Sequence, residues 1–231
     1  MIGLRAELLE SVAQDVLRHR RLPITRVAVD GVDGAGKTCF ADELAGRLDR
    51  AGVAVIRAGA DGFHRPAAER YARGRQSPEG FFLDSYDYAA FRRELLDPLV
   101  PGGTLRFRVA AFDVTTDEPL DVPLSVADIG SVLVVDGIFL HRDELVDVWD
   151  FSVFLRASFE HATRRWRQRD GVGPESASIP GDRYVEGQRL YLTSCDPERR
   201  ASMVVDNNDL SAPFVVRAGE PGISREPQGL V

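Results

Sequence analysis

Short apolar runs alternate with stretches of helical periodicity along most of the chain. Residues 26–30, 53–57, 131–136, 151–156 and 203–206 read as strands. Residues 2–20, 37–51, 87–97, 141–147, 158–169 and 183–194 read as helices. Leu4, Leu8 and Val12 share a face of the first, and Phe40, Leu44 and Leu48 share a face of the second. Apolar strands alternating with helices predict an α/β fold of three α/β/α layers, with a parallel central sheet covered on both sides. The breakers Asp97-Pro98-Leu99-Val100-Pro101-Gly102-Gly103 end the third helix. Residues 104–109 then alternate, as an edge strand or a hairpin arm outside the main sheet. There is no internal repeat. One domain is expected over residues 1–216, with a Gly- and Pro-rich tail over 217–231.

Composition narrows the function classes. The chain has 231 residues, 44% hydrophobic and 28% charged, enough for a single core with a small mobile subdomain. A net charge of −7 argues against a nucleic-acid surface, which needs an electropositive face. No apolar run approaches membrane-spanning length, and Arg5, Glu7, Glu10, Asp15 and Arg18 interrupt the first twenty residues, unlike a signal peptide. Cys39 and Cys195 form neither a metal spacing nor a disulfide framework, and His19, His64, His141 and His161 show no ligand spacing. A soluble cytoplasmic protein with no nucleic-acid or membrane partner is expected. A homo-oligomer is left open, since oligomeric state is not written in the chain.

One position stands out against this background. Twenty-eight of the 29 basic residues are arginine, and the sole lysine is Lys37, within Gly31-Val32-Asp33-Gly34-Ala35-Gly36-Lys37-Thr38. That segment matches G-x-x-x-x-G-K-[ST], the phosphate-binding loop of P-loop NTPases. An ammonium is a compact point charge able to sit between phosphate oxygens, where a guanidinium is bulkier. The glycines let backbone N–H groups turn inward, and the following helix adds the positive end of its dipole. Gly31, Asp33, Gly34, Ala35, Gly36, Lys37, Thr38 and Cys39 are therefore the candidate nucleotide-binding residues. The Thr38 hydroxyl is a candidate ligand for the Mg²⁺ that travels with a nucleotide. The segment lies between a strand and a helix, the order that the motif requires.

Asp61 follows the second strand in Gly59-Ala60-Asp61-Gly62-Phe63-His64-Arg65-Pro66. Ligands in open α/β sheets bind beyond the carboxyl ends of strands, so Asp61 is a candidate base for an attacking hydroxyl, or alternatively a turn or capping residue. His64 either touches substrate or lies on the surface. Val132-Leu133-Val134-Val135-Asp136-Gly137 has the form of a Walker B strand, making Asp136 a candidate Mg²⁺ ligand or a turn residue before glycine. Arg164, Arg165, Arg167 and Arg169 crowd the end of a predicted helix before Gly171-Val172-Gly173-Pro174. They form either a phosphoryl clamp on a lid or a solvated face at a helix C-terminus.

Taken together these residues resemble the uridine kinase, phosphoribulokinase and pantothenate kinase group of P-loop kinases. The similar stretches are residues 29–38, Asp61-Gly62-Phe63-His64-Arg65-Pro66, Asp84-Ser85-Tyr86-Asp87-Tyr88, Val134-Val135-Asp136-Gly137-Ile138-Phe139 and Val204-Val205-Asp206-Asn207. The resemblance implies a P-loop NTPase fold with a small lid at about 164–182, and ATP as phosphoryl donor to a small-molecule alcohol. It implies that Asp61 is the catalytic base, with Lys37, Arg165 and Arg169 as further catalytic residues. It implies Thr38 and Asp136 on Mg²⁺, and Asp61, Phe63, His64, Asp84 and Phe112 on the acceptor side. Uridine kinases follow a Tyr-Asp segment with a Thr-His pair that contacts the pyrimidine. This chain has Phe112-Asp113-Val114-Thr115-Thr116-Asp117 without a histidine, so uridine does not follow as the acceptor.

Two other classes compete with a kinase. A regulatory GTPase reads guanine with Asn-Lys-x-Asp, which is absent because Lys37 is the only lysine. A nucleotide-binding scaffold with weak ATPase activity stays open as the alternative.

Overall fold

The computed structural model describes residues 4–169 and 181–219, without the side chains of residues 166–169 and 181–182. Helix α1 (Leu4–Arg18) precedes β1 (Thr25–Gly31), α2 (Lys37–Arg50) and β2 (Val55–Gly59). Three short helices follow, α3 (Ala67–Arg70), α4 (Pro78–Asp84) and α5 (Tyr88–Phe91). Next come the two-residue strands β3 (Arg106–Phe107), β4 (Phe112–Asp113), β5 (Glu118–Pro119) and β6 (Ser125–Val126). The second half contains β7 (Val132–Gly137), β8 (Phe151–Arg156), α6 (Phe159–Arg169), α7 (Gly181–Cys195), α8 (Pro197–Arg200), β9 (Met203–Asp206) and β10 (Phe214–Ala218).

The main sheet runs β10-β9-β8-β1-β7-β2, parallel throughout except for the β10 edge. Alternate residues of each strand feed two cores. Val27, Val29, Val134 and Val153 pack with Val12 of α1 and with Phe40 and Leu44 of α2. Ala28, Leu133, Val135 and Phe154 pack on the other side with Phe91, Leu95 and Tyr191. Burial on both faces explains why the strands read as continuous apolar runs, and it makes the three layers expected. Register aligns Asp136 with Val29 on one side and Gly59 on the other. The segments that leave β1, β2 and β7 therefore emerge at one end of the sheet.

Several boundaries differ from the sequence reading. The second strand starts at Val55 rather than 53, because Val53 still donates its N–H to Leu48 O in the turn that ends α2. Residues 141–147 form turns, not a helix. There Phe139 takes a left-handed φ of 66°, and both the backbone N and the ring Nδ1 of His141 bind buried Asp30, which pins the segment to the sheet. The helix expected over 87–97 is α5 followed by a wide π turn (Arg92–Leu96) and a 3-10 turn (Asp97–Leu99), where Pro98 has no N–H to offer. The arm at 104–109 contributes β3, paired with β6 outside the main sheet. Strand β10 was not anticipated, and it runs two residues past the boundary expected at 216. Residues 220–231 of the expected tail lie outside the described residues.

Candidate active site

The loop after β1 is held from beneath by its own strand. Asp30, fully buried, accepts from Gly31 N at 2.7 Å, from His141 Nδ1 at 2.7 Å and from the Tyr191 hydroxyl. From above, Asn207 Nδ2 donates to Ala35 O at 2.7 Å and Gln188 Oε1 accepts from Asp33 N at 2.6 Å. Gly34 has φ 77°, and a Cβ there would sit 2.1 Å from Ala162 O of α6, so only glycine lets the loop pass beneath that helix. Helix α2 begins at Lys37 with no side-chain cap, which leaves its first N–H groups for an external anion. Lys37 Nζ donates to Val32 O at 3.0 Å and lies 3.7 Å from Asp33 Oδ1. Thr38 and Cys39 open α2 on its exposed side.

Asp136 ends β7 beside this loop. Its Oδ2 accepts from Thr38 Oγ1 at 2.6 Å, and its Oδ1 meets Arg57 Nη2 at 2.7 Å. Arg57 comes from β2 and also binds Asp42 at 2.9 Å. Behind Asp136, Gly137 allows close approach of the next segment, since a Cβ would lie 2.4 Å from Ala60 Cβ. That contact fixes the 3-10 turn Ala60–Phe63, and with it Asp61, against the Asp136 strand.

Asp61 Oδ1 accepts from the Tyr86 hydroxyl at 2.8 Å. Burial, with the Asp61 charge adding to it, pushes the Tyr86 phenol well above its ordinary range and keeps it a donor. His64 Nδ1 lies 2.9 Å from Asp61 O, so the hydrogen is assigned to Nδ1. Its ring stacks 4.5 Å from the Tyr86 ring. Burial lowers the His64 pKa below 6.5, which favours the neutral ring near pH 7. A cavity of about 210 Å³ joins these groups, lined by Asp33, Asp61, His64, Arg70, Tyr86 and Arg183 among others.

Loop, Walker strand and Asp61 segment thus come together as the motifs led one to expect, but part of the expected acceptor set does not. Phe63 is 1% exposed and stacks on Phe91 at 4.7 Å, so it builds the core under the Asp61 turn and does not line the cavity. Phe112 is likewise buried, and Val114, two residues further on, lines the cavity instead. Asp84 is tied to Arg73 at 2.8 Å, while Ser85 and Tyr86 reach the cavity. Arg165 lies against the phosphate loop, with Nη1 3.4 Å from Gly34 O and Nη2 on Asn208 O. The Arg169 side chain and most of the expected lid lie outside the described residues.

Four side chains at the site were missed in the sequence: Arg57, Arg70, Tyr86 and Arg183. Tyr86 stood inside a stretch quoted for the resemblance, without a role. The arginines carried no signal among twenty-eight of their kind.

No family model matches the chain. A uridine kinase of Ureaplasma parvum is 22% identical over 145 residues, spanning 62% of this chain and 68% of that one. Among solved structures, one described as a possible uridine kinase from Bacillus stearothermophilus has a TM-score of 0.68 at 19% identity, covering 86% of this chain and 97% of its own. The D-glycerate 3-kinase of Cryptococcus neoformans has a TM-score of 0.57 at 12% identity, covering 91% and 98%. The chain is similar to the uridine kinase-like group of P-loop kinases and has their fold. That a relative by sequence carries the name of a uridine kinase supports a kinase enzyme.

Proposed function

We propose that the protein is an ATP-dependent phosphotransferase that moves the γ-phosphoryl group to an alcohol of a small metabolite. The observation that carries this reading is the shared cavity, which is lined by both Asp33 of the phosphate loop and Asp61. The residues present fit a magnesium nucleotide. Gly34 lies where a Cβ would collide with α6, the α2 N-terminus is uncapped, and Lys37 brings the single ammonium. Thr38 and Asp136 offer two hard oxygen donors in mutual contact at 2.6 Å. Among the described residues no cluster of three or more His, Cys, Asp or Glu forms a metal cage, so the ion would be completed by phosphates and water.

Magnesium, when bound, supplies neutralisation of phosphate charge. The remaining work falls to the chain. Lys37 and the loop amides hold the phosphates, and Arg165 on the loop rim adds positive charge near the transferring group. Asp61 takes the proton of the acceptor hydroxyl as the new O–P bond forms and the bond to the β–γ bridging oxygen breaks. The Tyr86 hydroxyl holds one Asp61 oxygen, leaving the other to face the acceptor. Little covalent chemistry is asked of the protein, so positioning and charge suffice.

Asp61→Asn tests the reaction class. It keeps size and hydrogen bonding but removes the base, and turnover should fall ~10²–10⁴-fold while affinity for an ATP analogue stays unchanged. Near-normal turnover would remove Asp61 from the mechanism. Nucleotide turnover that does not respond to any alcohol would favour the scaffold with weak ATPase activity.

A further inference from the structure

Three guanidinium groups surround the Tyr71 ring next to the acceptor cavity: Arg70 at 5.3 Å, Arg75 at 4.6 Å and Arg183 at 4.7 Å. Arg70 is neutralised by Asp117 at 3.0 Å. Arg183 differs. The residue is only 5% exposed, it lies over the rings of Tyr71, Phe81 and Tyr184, and it lines the cavity. Its Nη1 donates to Arg75 O at 3.0 Å, but its buried Nε has no hydrogen-bond partner. Among the described residues no carboxylate pairs with it. A buried cation with an orphaned donor is costly unless an anion completes it, and a guanidinium fork matches the two oxygens of a carboxylate or phosphate. The aromatic faces around it stabilise the cation without neutralising it.

We infer that the acceptor is itself an anion, a hydroxylated carboxylate or phosphate ester. Arg183 binds the anionic end while the hydroxyl faces Asp61. This rests on the phosphotransferase reading for the role of the cavity, and it names the substrate class that the cavity takes. The carboxylate of Asp61 and the guanidinium of Arg183 line the same cavity, which suits a molecule carrying both a reacting hydroxyl and an anionic group. A neutral nucleoside would leave the Arg183 charge unanswered.

The test uses matched pairs that differ only in the anionic group: glycerate and glycerol, pantothenate and panthenol, ribose 5-phosphate and ribose. Each is titrated calorimetrically into the full chain holding Mg²⁺ and a non-hydrolysable ATP analogue, so that the phosphate loop is filled. In at least one pair the anionic member should bind at least tenfold more tightly. The pairs that respond tell a carboxylate from a phosphate. Arg183→Gln should erase the preference and Arg183→Lys should keep part of it. Equal or weaker anion binding in every pair overturns the inference, as does an undiminished preference in a folded Arg183→Gln; if that variant does not fold, the wild-type pairs decide. ADP release with the same compounds separates the two readings. Anion binding without transfer leaves the inference and removes the kinase, whereas transfer to neutral alcohols without an anion preference does the reverse.

Discussion

Arg57 occupies one oxygen of the carboxylate that a magnesium nucleotide would need, so removing it should destabilise the free protein while enlarging the stabilisation that the ligand brings. Arg57→Leu deletes the contact to Asp136 at 2.7 Å and the contact to Asp42 at 2.9 Å. The Asp42 pair is well exposed and contributes ~0–1 kcal/mol. The Asp136 side chain is 11% exposed and Arg57 25%, so this pair is partly wet. Its loss falls below the ~3–5 kcal/mol of a fully buried broken pair and near the ~1.5–3 kcal/mol of a charge-assisted hydrogen bond. A loss of ~2 kcal/mol corresponds to about 4–8 °C in Tm for a chain of this size. In the presence of Mg²⁺ and an ATP analogue the gap between variant and parent should narrow to about 1 kcal/mol. The ion meets a carboxylate with no internal cation to displace, so the ligand-induced rise in Tm should be larger in the variant. A fivefold tighter Kd would add ~1 kcal/mol at saturation. Thermal melting of both proteins, with and without ligand, reads all four states. Asp136→Asn should abolish the metal-dependent part in either background. An Arg57→Leu variant with unchanged Tm and the same ligand shift as the parent would show that Arg57 and the ion do not share Asp136.

Three further outcomes follow from the site. Gly34→Ala forces a side chain into left-handed backbone, which costs ~1–2 kcal/mol, and drives its Cβ to within 2.1 Å of Ala162 O. Affinity for an ATP analogue should fall at least ~10-fold with the opened α6 contact, and an unaltered Kd would mean that α6 does not close on the loop. Tyr86→Phe removes a hydrogen bond to a carboxylate worth ~1.5 kcal/mol, so turnover should drop ~10-fold at constant nucleotide affinity; equal turnover would leave Tyr86 a packing residue. His64 has a lowered pKa in the fold, with burial outweighing the favourable Asp61 and Asp33 charges and Arg70 adding to the effect. Between pH 6.5 and that lower value the unfolded chain binds more protons, so stability is full above 6.5 and falls as pH drops below it. His64→Gln should flatten that part of the Tm-against-pH curve, and an identical curve would mean that the ring is solvated.

How much of this was legible depends on how far apart in the chain each interaction lies. The phosphate loop, the Walker strand and Asp61 are each local: a strand, then a turn with a fixed residue pattern, whose geometry a few neighbours dictate. Strands buried on both faces read clearly because no polar alternation diluted them. The 141–147 segment misled because Leu145 and Val148 are core residues on turns, held there by His141 reaching back to Asp30, 111 positions away. Phe63 and Phe112 were assigned to the acceptor by the resemblance, yet an aromatic in the Asp61 turn or beside it can equally pack underneath. The residues that complete the site are those whose partners are remote. Tyr86 meets Asp61 across 25 positions, Arg57 meets Asp136 across 79, and Arg183 meets the Arg75 carbonyl across 108. In a chain with twenty-eight arginines, composition cannot single out Arg183, which loses its solvent and, among the described residues, pairs with no carboxylate. The reaction class is therefore carried by short motifs, and the choice of acceptor by long-range packing. Substitutions in the loop should alter nucleotide handling for every acceptor, whereas substitutions around Tyr71 and Arg183 should change which acceptor is used while nucleotide affinity stays the same.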